Sequence, residues 1–223
     1  MKIRYQKQLD TVENRMCGAA ALCMVYDSFG IKTTQLEIWP GISVPDSQGN
    51  MFAKTHLLCS NALEHGLHSI IFRAKDPWGV LKLCPDNSIR AILIHRPDVN
   101  SILGHFTVLV DVTSRFVTLH DPQLGPYRKI DRNKMLDLWL KKGNNCEIGN
   151  NVLIAISNND SGLTSCRLCG TAIPKSTRCP NQECSKDIPL QPLDIVGCMD
   201  DACPGRTWKH IICPYCDSPL SRI

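Results

Sequence analysis

No stretch of the 223-residue chain approaches the ~18 consecutive apolar residues of a membrane-spanning helix. The first residues, Met1-Lys-Ile-Arg-Tyr-Gln-Lys-Gln8, contain no apolar run of the kind a secretory signal needs. Low-complexity tracts are missing, and repetition is confined to the C-terminal tail. These absences exclude a membrane-embedded protein and make a reduced, cytoplasmic setting the expectation, with no membrane among its partners.

What the chain has in quantity is cysteine. Eight of the thirteen lie between Cys166 and Cys216, as Cys166-x2-Cys169, Cys179-x4-Cys184, Cys198-x4-Cys203 and Cys213-x2-Cys216. Each pair has the spacing of a metal-binding knuckle, and two knuckles hold one tetrahedral Zn²⁺ through four thiolates. Cys-Gly and Cys-Pro steps, at Cys169-Gly170, Cys179-Pro180, Cys203-Pro204 and Cys213-Pro214, supply the tight turns. The tail resembles a double zinc ribbon. A disulfide framework would suit a secreted scaffold, but without a secretion signal two structural zinc ions, each in a Cys₄ site, are the economical account. Sequential grouping places Cys166, Cys169, Cys179 and Cys184 on one ion and Cys198, Cys203, Cys213 and Cys216 on the other. A nested grouping of outer with outer and inner with inner pairs is the alternative. Shorter loops favour the sequential one.

The zinc reading also removes an apparent excess of positive charge. Twenty-five Lys and Arg against 21 Asp and Glu give a formal +4. Eight bound thiolates contribute −8 and two Zn²⁺ contribute +4, which brings the total to 0. Nucleic acid is therefore not the expected partner, although local patches (Arg167, Lys175, Arg178; Arg206, Lys209, Arg222) remain. A protein partner docking on the ribbons is expected instead.

The upstream part carries a different chemistry. Alternating apolar residues in Gly104-His105-Phe-Thr-Val-Leu-Val-Asp-Val and in Phe116-Val-Thr-Leu-His-Asp121-Pro122 predict a β-hairpin turning at Thr113. His105 and Asp121 stand eight residues to either side of that turn, which makes them cross-strand neighbours by counting. Asp111 lies about 20 Å of extended chain from His105, too far to orient it. His120 points to the other sheet face from Asp121. His56, His65, His68 and His95 have no identifiable acid partner and are read as structural or exposed. Further upstream, Met16 to Gly30 is rich in Ala, Leu and Met and predicts a helix stopped by Gly30. Cys17 falls at its start, where unpaired N–H groups and the dipole favour a thiolate. Gly18 would admit a substrate backbone, and Cys23 is expected in the core. Cys, His and a carboxylate in this relation make a nucleophile, its base and the base's orienter.

From about Ile3 to Ile156 the chain resembles the C39 and C39-like peptidases, a branch of the papain-like cysteine proteases. Three blocks carry the likeness: Cys17-Gly18-Ala19-Ala20 with its helix through Phe29-Gly30, Gly104-His105-Phe106-Thr107-Val108-Leu109, and Asp121-Pro122-Gln123-Leu124-Gly125. A helix over 131–140 carrying Trp139 and a closing strand at 152–156 fit as well. The resemblance implies Cys17 as nucleophile, His105 as base and Asp121 as orienting acid. It also implies an upstream glutamine as oxyanion donor. Gln8 fits best, although the family's tighter spacing would land on Thr11, and Gln6 remains open. Well-known members are fused to membrane exporters and cut leader peptides; no exporter is expected here, so their substrate is not carried over.

The expectation is an α+β papain-like fold, an N-terminal helical part on an antiparallel sheet, over residues 1–157. A polar, mobile linker at 158–165 and a double zinc ribbon at 166–223 follow. The tail is too poor in Leu, Ile and Phe to fold well without metal. The expected function is cysteine peptidase activity on a peptide or protein, needing no cofactor for catalysis, with the tail recruiting substrate or partner. A silent binding or adaptor module and an amidase or transpeptidase on another substrate are the alternatives.

Overall fold

The computed structural model describes residues 2–11, 14–159 and 162–220. Two short strands, β1 (Asp10–Thr11) and β2 (Asn14–Arg15), lead into helix α1 (Cys17–Ser28). Helix α2 (Gln35–Ile42) follows, then β3 (Ser43–Pro45), β4 (Met51–Ala53), α3 (Thr55–Glu64), β5 (His68–Ala74) and α4 (Pro77–Asp86). Next come β6 (Arg90–His95), β7 (His105–Val112), β8 (Phe116–Asp121), β9 (Gly125–Asp131), α5 (Arg132–Leu138) and β10 (Val152–Ser157). The tail adds β11 (Ser176–Arg178), β12 (Asp187–Pro189), α6 (Leu193–Val196), β13 (Trp208–Ile212) and β14 (Pro219–Leu220).

Local chemistry accounts for the helix boundaries. Gly30 takes φ +81 just beyond α1, where a side chain would be strained. Thr34 and Glu37 form a reciprocal capping box at the start of α2. Asp76 caps α4, whose first position is Pro77. Among the described residues, no helix is long and apolar enough to cross a membrane.

The architecture is α+β. Eight antiparallel strands form the main sheet in the order β14-β13-β5-β10-β6-β7-β8-β9. Both faces are covered, which is why β6 and β10 are buried along their whole length. Alternation splits the core in two. Ile71, Ile92, Ile94, Phe106, Val108 and Ile154 face α1, α2 and α3. Ile70, Phe72, Leu93, Leu109, Leu119 and Leu153 face α4, α5 and the tail.

Two expectations change. The strand at 152–156 does not close the sheet; β10 sits inside it, hydrogen-bonded to β5 on one side and β6 on the other. The tail also has less freedom than the polar link suggests. β13 pairs antiparallel with β5, with Ile211 opposite Phe72 and Ile212 opposite Ile71, and so extends the sheet. Trp208, Ile211, Ile195 and Val196 join the same core as Phe72 and Ala74. The polar composition of the link carried no information about this long-range pairing. Residues 160 and 161 of that link lie outside the described residues.

Integration of this kind has a measurable consequence. Trp208 is fully buried between tail and sheet, so Trp208→Ala should cost about 3–5 kcal/mol. Denaturant unfolding followed by two probes should show one shared transition for the chain. Separate transitions, with only the tail's displaced by the substitution, would refute a common core.

Candidate functional site

Cys17 is the first residue of α1, so its N–H has no intrahelical acceptor and points outward at the positive end of the helix. Gly18 turns out to serve packing rather than substrate approach. A Cβ there would lie 2.8 Å from the Ala53 Cβ and 3.3 Å from the Phe106 ring, so only glycine lets α1 seat against β4 and β7. Cys23 is buried in the core as expected.

His105 opens β7 and Asp121 ends β8. The His105 Nε2 lies 2.8 Å from Asp121 Oδ1, and both side chains are almost wholly buried. They are not directly opposite, as counting implied. The hairpin turn spans Thr113 to Phe116, and Val112 pairs with Val117. A bulge at Val110 then shifts the register, so that Leu109 faces Leu119 and Val108 faces His120. Continued by one residue, that register sets Asp121 opposite Thr107, diagonal to His105 and on its face. Without the extra residue Asp121 would share the face of Phe106 and Val108, pointing away from His105. The hydrogen bond expected from counting is present, for a different reason.

With Nε2 committed to Asp121, the other ring nitrogen is the one left to face Cys17. Burial pushes the Cys17 thiol up. Hydrogen bonding to His105, its charge, the Phe106 N–H and Arg15 outweigh that, and the thiol ends below its ordinary range. Burial pulls His105 down, but its bonds to Asp121 and Cys17 raise it to about 9. Burial would raise Asp121, yet His105 and the N–H groups of Leu124 and Gln123 hold it far below the usual carboxylate range. The arrangement favours a thiolate–imidazolium pair.

Asp121 is clamped on every side. Gln123 and Leu124 each donate a backbone N–H to Oδ1 at 3.0 Å, which explains the Asp-Pro-Gln-Leu turn. Arg128 Nη1 donates to Oδ2 at 2.8 Å. Nothing in the spacing singled out Arg128, because β9 must first fold back on β8 to bring it there. Glu147 was missed for the same reason. Its carboxylate takes a two-pronged contact from Arg15 at 3.0 and 3.1 Å and accepts the Gly104 N–H at 2.7 Å, pinning the residue before His105.

Gln8 lies beside the thiol. It lines a cavity of about 170 Å³ together with Cys17, Gly104, His105 and Gln123, and its backbone N–H donates to the Pro122 carbonyl at 3.0 Å. Gln6 does not line that cavity. On the other side of Cys17 lies a cleft of about 260 Å³, lined by Arg15, Phe52, Lys54, Glu147 and Asp217 among others.

Two further histidines near the site are held by other partners. His95 pairs with His105 across β6 and β7, with ring centroids 6.0 Å apart. It donates to the Arg96 carbonyl at 2.7 Å and accepts from Thr107 Oγ1 at 3.0 Å, and burial lowers it to about 4, so it stays neutral. His120 faces away from Asp121, bound to the Ile3 carbonyl and the Tyr127 N–H. Asp111 is exposed, away from the site.

In the tail the eight cysteines gather into two groups of four, with all sulfurs of a group within 4.8 Å of one another. Cys166, Cys169, Cys198 and Cys203 form one group; Cys179, Cys184, Cys213 and Cys216 form the other. The grouping is interleaved, neither sequential nor nested. Loop length was a weak guide, since doubling a loop costs only about 0.6 kcal/mol. Strand placement decides instead. The β11–β12 hairpin carries the second knuckle, and β13 runs beside β5 from the third knuckle to the fourth. The sulfurs suit a tetrahedral ion. Four bonds of ~2.3 Å require sulfurs ~3.8 Å apart, and the cross-knuckle distances are 3.4, 3.5, 3.9 and 3.9 Å. Backbone N–H groups of Leu168, Asp200 and Gly205 point at Cys166, Cys198 and Cys203 sulfurs, which favours thiolates.

A buried Cys–His–Asp constellation between a helix N-terminus and an antiparallel sheet is the arrangement of the papain-like thiol peptidases. The peptidase C39 family profile matches residues 5–143, and the chain belongs to that family. Among solved structures it is similar to a protein from Bacillus anthracis described as a C39-like peptidase, with TM-score 0.57 and 13% identity over 71% of this chain and 96% of that one. The peptidase domain of Streptococcus ComA, a bifunctional ABC transporter of a quorum-sensing pathway, matches at TM-score 0.49 and 13% identity, covering 71% of this chain and 100% of that chain. No curated protein sequence matches the chain.

The thiol's pH behaviour tests the electrostatics. Because His105 outweighs burial, alkylation of Cys17 should remain fast below pH ~8.5, the ordinary thiol midpoint. In His105→Ala burial, the largest single influence, is opposed only by the Phe106 N–H and Arg15, and the midpoint should rise. Iodoacetamide rates at Cys17, followed by peptide mass spectrometry from pH 5 to 10, decide this; coincident profiles would contradict the assigned interaction.

Proposed function

We propose that this chain is a cysteine peptidase that cleaves an amide bond in a peptide or protein through Cys17, His105 and Asp121. The observation that supports it most is the buried 2.8 Å His105–Asp121 bond, which leaves the opposite ring nitrogen to Cys17 at a helix start. Asp121, fixed by Arg128 and two backbone N–H groups, holds the imidazole's orientation and stabilises its charge. Cys17 sulfur attacks the scissile carbonyl. The negative charge that forms on the carbonyl oxygen is met by the Cys17 N–H and by the Gln8 side chain as oxyanion donors. His105 passes its proton to the leaving amine, and the thioester remains on Cys17. A water molecule, giving a proton back to His105, then releases the acid and restores the thiol pair. His105 must be protonated for the first step, so the alkaline limb of kcat/KM should fall near pH 9, where the raised imidazole loses its proton.

Zn²⁺ fits both cysteine groups, each supplying four sulfurs at tetrahedral spacing. The ions would be structural, closed sites that lend the tail its stability, with no part in the reaction. Thiols kept free for metal also support a reducing, cytoplasmic setting. The tail is further proposed to present a surface to a protein partner, residues 166–223 serving as a distinct functional unit although packed on the sheet.

Cys17→Ala should abolish hydrolysis and labelling by a thiol-reactive activity probe while leaving the thermal midpoint within about 2 °C; undiminished activity would rule the mechanism out. Trapping an acyl adduct on Cys17 and weighing it separates peptide from non-peptide substrates. For the metal, the double variant Cys169→Ser/Cys198→Ser should retain one zinc per chain by atomic emission. Loss of both ions would refute the interleaved grouping and point to a sequential or nested one.

A further inference from the structure

We propose that Asp217, a residue of the cysteine-rich tail, is a specificity-determining residue of the Cys17 cleft and selects substrates with a cationic side chain near the scissile bond. The inference rests on the peptidase reading above and adds a substrate class to it.

Asp217 lines the same 260 Å³ cleft as Cys17, although 200 residues of chain separate them. It arrives there because β13 lies on β5, which carries the fourth knuckle to the start of α3. Its position is set by backbone. Asp217 sits at φ +64, its N–H donates to the Cys213 carbonyl at 3.1 Å, and the Cys213 N–H donates to Ser218 at 2.9 Å. The left-handed conformation is one that aspartate and asparagine tolerate better than most residues.

The other charges lining the cleft are engaged. Arg15 is held by both oxygens of Glu147, and Glu147 also takes the Gly104 N–H. The Lys54 ammonium lies 4.8 Å from the centre of the Phe52 ring. Asp217 differs from these. Its side chain is 58% exposed, and its nearest ion-pair partner is His56 Nδ1 at 3.9 Å, beyond hydrogen-bond reach. A lysine or arginine of a bound peptide would complete this carboxylate's shell, whereas an acidic residue would meet like charge. The family match ends at residue 143, so this wall of the cleft is an addition made by the tail. The tail thus enters recognition as part of the site, and not only as a tethered recruiter.

The test measures protection of Cys17 from iodoacetamide by matched decapeptide pools, one containing lysine pairs and one glutamate pairs in an otherwise Ala/Gly/Leu background. Alkylation at Cys17 is followed in the full chain by mass spectrometry. The lysine pool should protect at a concentration roughly fivefold lower than the glutamate pool, the scale of one half-exposed ion pair. Asp217→Asn should erase the difference while keeping the backbone conformation, and Asp217→Lys should invert it. No preference in the native chain, or the same preference in both variants, would overturn the assignment. Protection requires only occupancy of the cleft. Protection with no hydrolysis of any pool would therefore count against the peptidase reading and leave the Asp217 assignment standing.

Discussion

One extra residue in β7 decides whether His105 and Asp121 can meet. Antiparallel strands place side chains on alternate faces, so a register error of one residue sends a whole strand's side chains to the wrong side. From the turn at Thr113 to Phe116, uninterrupted pairing would turn Asp121 toward α1 and leave His105 without an acid. The bulge at Val110 absorbs the mismatch, and the two residues reach the same face as diagonal neighbours. The His95–His105 pair on the other flank of β7 then fixes the ring from behind, with Thr107 holding His95. The placing of the base thus depends on a backbone irregularity that no single side chain announces.

Electrostatics builds on that geometry in a definite order. Burial alone would keep the thiol protonated, the imidazole neutral and the carboxyl uncharged. Each outcome is reversed because partners are already in place: His105 and two N–H groups for Asp121, Asp121 and Cys17 for His105, His105 for Cys17. Arg128, partly exposed, anchors the carboxylate from outside through Oδ2. Removing an outer member therefore weakens every member inside it, which is why the turn after Asp121 belongs to the site as much as the three named residues do.

Local signals made part of this legible. The helix start at Cys17, the two hairpin arms and the cysteine spacings all depend on neighbours within a few residues, and each stands where its pattern indicated. Arg128, Glu147, the bulge, the interior position of β10 and the interleaved cysteine groups depend on which strand lies beside which. Gly18 shows the boundary between the two kinds of information. Its absence of side chain is plain in the sequence, but whether the space was meant for substrate or for Ala53 was decided by the arrival of β4.

The tail is the clearest case of long-range placement. Its hydrophobic content is too small for an independent core, yet Trp208 and Ile211 bury against Phe72 and Ala74 of the main sheet. In exchange β13 covers the edge of β5, whose unpaired backbone groups would otherwise invite association with another chain. Two dependencies therefore run in opposite directions. The cysteine groups hold the ends of β13 in place, and β13 completes the sheet that supports α3 and the cleft beside Cys17. Interleaving strengthens this link. Each group joins a knuckle that precedes the sheet-edge segment to one that flanks it, so neither can be lost without freeing one end of β13. The same strand that stabilises the sheet carries Asp217 into the cleft. A tail built this way is coupled to the Cys17 cleft by its covalent and hydrogen-bonded path.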